Sequence, residues 1–182
     1  MIIACVVMMM GGAGVHTTEE PLQNNVEPAE AVDQGGEPMP PARRVAILTC
    51  MDARLHPERF FGSEIGDAHV IRNAGGRASD DAIRSLIVSS QLIGTDEYLV
   101  IHHSDWGMLT FSNEDLRSKL ATETGGDASH IDFLPFTDLE DSVRVDVRRI
   151  RESPFISADI VVAGYVYDVD TGGLTPVETA AV

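Results

Sequence analysis

The chain has 182 residues, with 43% hydrophobic and 23% charged, which is the balance of one soluble globular domain and not of a disordered chain. Its 29 acids against 13 Lys and Arg give a formal net charge of -16, which repels nucleic acid and anionic membranes and sets both aside as partners. Cys5 and Cys50 lie far apart, offer no disulfide framework and fit a reducing, cytoplasmic compartment.

In chain order, the opening MIIACVVMMM is apolar but too short to span a bilayer, and it lacks the flanks of a signal peptide. Residues 1–37 read as an N-terminal arm or linker, either a disordered leader or a segment wrapping a partner subunit. Residues 38–182 read as the folded domain. VAILTC, ending at Cys50, is a short β-branched run of the kind that forms a strand buried on both faces. HVIRN from His69 and EYLVIHH from Glu97 are two more such runs. Between them lies a helix that Ser79 and two acids start and Gly94 stops, making a βαβ unit. A second helix starts at Ser112, where SNED has capping-box spacing, and a third covers Asp138 to Arg151. DIVVAGYVYD reads as the last strand. The expected fold is α/β, a mainly parallel sheet flanked by helices, whose ligands gather beyond the carboxyl ends of the strands. Cys50 and His103 both fall on that rim.

Three stretches carry candidate chemistry. In CMDAR, Cys50, Asp52 and Arg54 alternate along an extended segment and can project to one side. A thiol at a strand end is also common core filler, and an Asp–Arg pair is commonly structural. In HVIRNAGG, the paired glycines allow positive φ or close backbone approach, with Arg72 and Asn73 bracing the loop. In IHHSDWGM, two histidines end a strand, as structural partners or as ligands.

In order, spacing and wording these stretches resemble the β-carbonic anhydrase family in its small bacterial form. The resemblance runs from PMPPARRVAILTCMDARL through GDAHVIRNAGG and SDDAIRSLIVSSQLIGT to IHHSDWGMLTF, and resumes weakly at SPFI and GYVYDVDTGGL. It implies reversible hydration of CO2 to bicarbonate and a homodimer or higher homo-oligomer. It also implies a zinc ion held by the cysteine of C-x-D-x-R and by the His and Cys of an H-x-x-C turn. Those positions are Cys50, His103 and Trp106. In the family, the aspartate at the position of Asp52 either pairs with the arginine at Arg54 or becomes a zinc ligand.

The chemistry follows from zinc itself. Three protein donors plus water make a hydrolytic site, and the zinc-bound hydroxide attacks a small electrophilic carbon. Asp52 would orient that hydroxide, and Arg54 would keep Asp52 ionised and off the metal. Indole has an N–H and no usable lone pair, so Trp106 cannot replace a thiolate. Three readings remain open. Cys50, His103 and Asp52 hold zinc, with Asp105 or His102 assisting after a local rotation; or the site has become a metal-free pseudoenzyme that binds a ligand or partner; or Trp106 is a lost ligand that a cysteine would restore. A larger, flatter pocket would also suit a different carbonyl-like electrophile, such as a carbon–sulfur compound or an ester.

Overall fold

The computed structural model describes residues 38–105 and 111–179; the anticipated arm over residues 1–37, Cys5 and Trp106 lie outside them. Strand β1, Val45–Cys50, has all six residues buried, as a run with no polar face requires. It lies between β2, Ala68–Asn73, and β3, Glu97–His103, and is parallel to both. Strand β4, Val161–Tyr167, extends the sheet parallel to β3, and β5, Leu174–Val177, closes it antiparallel to β4. The order is β2-β1-β3-β4-β5.

The helices begin where the sequence signals them. Helix α1, Pro57–Phe61, starts on a proline and is a single short turn. Helix α2, Asp80–Ile93, is capped by the Ser79 side chain, which accepts from the Ala82 amide, and ends at Gly94 with φ 82°. Helix α3, Asn113–Thr124, opens on a complete capping box between Ser112 and Asp115. Helix α4, Leu139–Arg151, has the Asp138 side chain accepting from the Asp141 amide, with acids in its first turn and arginines in its last.

Covering of the sheet is uneven. Ala82 and Leu86 of α2 and Val143, Val147 and Ile150 of α4 pack with Ala46, Leu48, Tyr98 and Val100 on one face. On the other, Val45, Ile47, Leu99 and Ile101 meet Phe60 and Phe61 of α1 and the tyrosines of β4. Helix α3 contributes no buried side chain.

From β1 the chain steps to one side to form β2, then crosses to the other side to form β3. The order therefore reverses at β1, and the crevice at such a switch point opens beyond the carboxyl ends of β1 and β3. Cys50 and His103 are the last residues of those two strands.

Candidate active site

Beyond Cys50 the chain does not continue extended, as the alternation in CMDAR suggests. It turns, because the Asp52 carboxylate accepts from the Arg54 amide (Oδ1, 2.9 Å), a local bond that Asp forms readily two residues on. The turn brings Asp52 and Arg54 together as a forked ion pair: Arg54 Nη2 to Asp52 Oδ2 is 2.7 Å and Nε to Oδ1 is 3.0 Å. These bonds from Arg54 hold the Asp52 carboxyl down at about 2, so it is ionised throughout the neutral range.

Arg54 is itself clamped from the other side. Its Nη1 donates to the Asp105 carboxylate at 2.8 Å and its Nη2 to the Asp105 carbonyl at 3.1 Å. Asp105 has φ 54°, a left-handed conformation that Asp tolerates better than most residues, and in it both acceptors face the one guanidinium. Arg72 ties down the same loop by donating to the carbonyls of Cys50 and Asp52 at 3.0 and 2.7 Å. Arg72 thus braces the loop after β1 and not, as expected, its own glycine turn; Asn73 does brace that turn, closing on both the amide and the carbonyl of Arg77.

The Cys50 side chain is fully buried. Its sulfur accepts from the Asp52 amide at 3.1 Å and from the Gly75 amide. Burial pushes the thiol above its ordinary value, while the two amides pull it back. The Gly75 amide is delivered by the paired glycines, which adopt φ 85° and 65°. A Cβ on Gly76 would lie 2.9 Å from the Thr49 carbonyl carbon and 3.0 Å from the Cys50 nitrogen, so the turn rests directly on the end of β1.

His103 is buried at the end of β3, and burial pushes it below its ordinary value, so the ring is neutral near pH 7. Its Nδ1 lies 2.7 Å from the Ser104 carbonyl, which only accepts; the ring proton is therefore on Nδ1, and Nε2 carries the lone pair. Asp52 Oδ2 stands 3.8 Å from that Nε2. Asp52 thus adjoins both strand ends, its amide on the Cys50 sulfur and its carboxylate beside His103.

A carbonic anhydrase family profile matches residues 45–174. The β-carbonic anhydrase 1 of Mycobacterium tuberculosis is 43% identical over 162 residues, 88% of this chain and 97% of that protein. The chain belongs to the β-carbonic anhydrase family. The crystal structure of a carbonic anhydrase from Streptococcus mutans superposes with a TM-score of 0.85 at 44% identity, covering 91% of this chain and 99% of that one. A carbon disulfide hydrolase of Acidianus is 35% identical over 156 residues, 73% of this chain and 76% of that protein. The chain is a carbonate-dehydratase-like enzyme.

The donor types at the site, a thiol, a neutral imidazole and a carboxylate, suit zinc. Their arrangement stops one donor short: among the described residues no group of three His, Cys, Asp or Glu side chains stands ready to hold a metal ion. In this arrangement both Asp52 carboxylate oxygens are bonded to Arg54.

Neither residue named as an assistant faces the site as a donor. Asp105 is bound to Arg54, and His102 is engaged in a buried cluster that sequence reasoning missed. There, His102 Nδ1 lies 2.7 Å from Ser142 Oγ, and Nε2 lies 3.2 Å from Asp146 Oδ2 and 3.3 Å from the Gly76 carbonyl. Asp146 in turn accepts from Arg77 Nε and Nη2 at 2.7 and 3.1 Å. Burial raises the Asp146 carboxyl, but the bonds from His102 and Arg77 outweigh it and leave the group below its ordinary value.

Proposed function

We propose that this enzyme catalyses the reversible hydration of CO2 at a zinc ion held by Cys50 and His103, with Asp52 as an exchangeable third donor in place of the family cysteine. The observation that carries this reading is the position of Asp52, whose amide bonds to the Cys50 sulfur while its carboxylate stands 3.8 Å from His103 Nε2. Zinc bound there would supply Lewis acidity, making water a nucleophile near neutral pH.

The chain's own residues do the rest. The amides of Asp52 and Gly75 offset part of the burial that keeps Cys50 a thiol, and so ease its conversion to the thiolate, the form that ligates. The Ser104 carbonyl fixes the His103 tautomer that presents Nε2. While Arg54 holds it, Asp52 is an ionised acceptor that can take a hydrogen bond from the attacking water and aim its lone pair at carbon. Released from Arg54, it would serve as the third donor beside Cys50 and His103, leaving one position for water.

The kinship with carbon disulfide hydrolases favours a second reading of the substrate, a linear carbon–sulfur electrophile attacked in the same way. A reduced Cys50 suits the cytoplasm, and exposed Leu92 and Phe155 support a homodimer or larger homo-oligomer.

The test is zinc per chain by elemental mass spectrometry on protein purified without added metal or chelator, with stopped-flow CO2 hydration and sulfide release from carbon disulfide. One zinc per chain, lost with hydration in Cys50→Ala and His103→Ala, is expected. Full hydration activity in both variants overturns the reading, and sulfide release without hydration moves the substrate to carbon disulfide.

A further inference from the structure

Behind the Cys50 sulfur lies a polar cluster on the buried side of β3. Arg77 and Asp146 are almost fully buried there, with side chains 7% and 2% exposed, and their forked pair joins the turn after β2 to helix α4. A charge pair this deep is costly to desolvate, and replacing it by apolar residues is often neutral or stabilising; its presence calls for a role besides stability. Every group around it is oriented. Ser142 Oγ donates to the Leu139 carbonyl and so accepts from His102 Nδ1. Nε2 faces only acceptors, the Asp146 carboxylate and the Gly76 carbonyl. Arg77 Nη1 donates to the carbonyl of Leu134, whose φ of 54° is rare for a leucine. Phe136 stacks on His102 and lies under the Arg77 guanidinium.

The cluster ends on the Gly75–Gly76 turn. One side of that turn is gripped by the His102 bond to the Gly76 carbonyl; the other rests on the Cys50 backbone and sends the Gly75 amide to the Cys50 sulfur. We propose that Asp146 is a positioning residue for the Cys50 sulfur: with Arg77 it fixes His102, and His102 fixes the turn whose amide bonds to that sulfur. The consequence for metal binding rests on the proposed zinc reading; the positioning itself does not.

The test compares Asp146→Asn and the apolar pair Arg77→Met with Asp146→Leu, which keeps the core filled. Val143→Ala serves as control, because it opens the same helix–sheet contact while keeping every hydrogen bond of the cluster. In metal-free protein, amide hydrogen exchange at Gly75 is read against Leu48 and Val100. The two cluster variants are expected to speed exchange at Gly75 at least tenfold more than at the strand amides, and Val143→Ala to move all three together. Gly75 staying in step with the strands in both cluster variants overturns the proposal.

Co2+ is then titrated into each protein and the thiolate-to-cobalt absorption followed. Binding is expected to weaken tenfold or more in the cluster variants and to hold in Val143→Ala. Unweakened binding in both cluster variants overturns the claim that this positioning serves the metal. A wild type that shows no such absorption removes the zinc reading alone, since the Gly75 exchange is measured without metal.

Discussion

Asp52 Oδ2 stands 2.7 Å from Arg54 Nη2 and 3.8 Å from His103 Nε2, so the same oxygen lies between a cation and a prospective ligand. Arg54 decides which neighbour it serves. Arg54→Ala removes every side-chain bond that draws Asp52 away from His103, and the carboxylate would then serve as a metal donor instead of orienting the attacking water. The expected result is zinc that resists chelators better than in wild type, together with CO2 hydration reduced at least a hundredfold. Chelator competition and stopped-flow assays read the two quantities; loss of both zinc and activity would show that Arg54 supports the site in some other way.

Trp106 lies three residues after His103, where the resemblance to the family's H-x-x-C turn implies a thiolate. With a thiolate there, zinc would have three protein donors without calling on Asp52, which would stay on Arg54 and orient water. Trp106→Cys is therefore expected to raise zinc content and hydration rate together, by tenfold or more in rate if the native protein is only partly loaded. No change in either sinks the idea that the tryptophan limits the site.

The strands that carry Cys50 and His103 were legible because both are continuous apolar runs, and helices α2, α3 and α4 because Ser79, Ser112 and Asp138 are capping residues ahead of acids. Strand β5 escaped notice: LTPV has one buried residue and a proline, which an edge strand tolerates and an apolar-run criterion rejects. Helix α1 is too short to show a period. The C-x-D-x-R segment was read as extended, yet Asp52 capping the Arg54 amide makes it a turn, a local bond that alternation ignores. Arg77 and Asp146 are 69 positions apart, and neither belongs to a motif. The available signal was an acid, Asp146, on the stripe Val143, Val147 and Ile150 that faces the core.

Gly76 and Gly62 have nearly equal φ, 65° and 63°, and opposite surroundings. A Cβ at Gly62 meets nothing within 4 Å, whereas at Gly76 it meets the Thr49 and Cys50 backbone at 2.9 to 3.0 Å. Left-handed strain alone costs about 1 kcal/mol, so Gly62→Ala isolates it. Gly76→Ala adds a clash with backbone that cannot rotate away, and urea unfolding is expected to show a loss larger by about 2 kcal/mol. Equal losses in the two variants would mean that the turn does not rest on β1 as closely as described.

Asp146 links the cluster to acid stability, and the sign follows from its environment. Arg77 and His102 are the groups that bond to its carboxylate, and they hold it below the ordinary 3.8. A carboxyl depressed on folding contributes stability that is complete above its unfolded value and disappears as pH falls through its folded value. Asp146→Asn lacks that contribution and leaves the Arg77 charge uncompensated, a loss of about 3 kcal/mol at neutral pH. Urea midpoints measured from pH 7 down to pH 2.5 should therefore show a constant gap between wild type and Asp146→Asn above pH 5, narrowing below pH 4. A gap that stays level to pH 2.5 would mean that the Asp146 carboxylate charge contributes nothing, and that shape alone holds His102 in place.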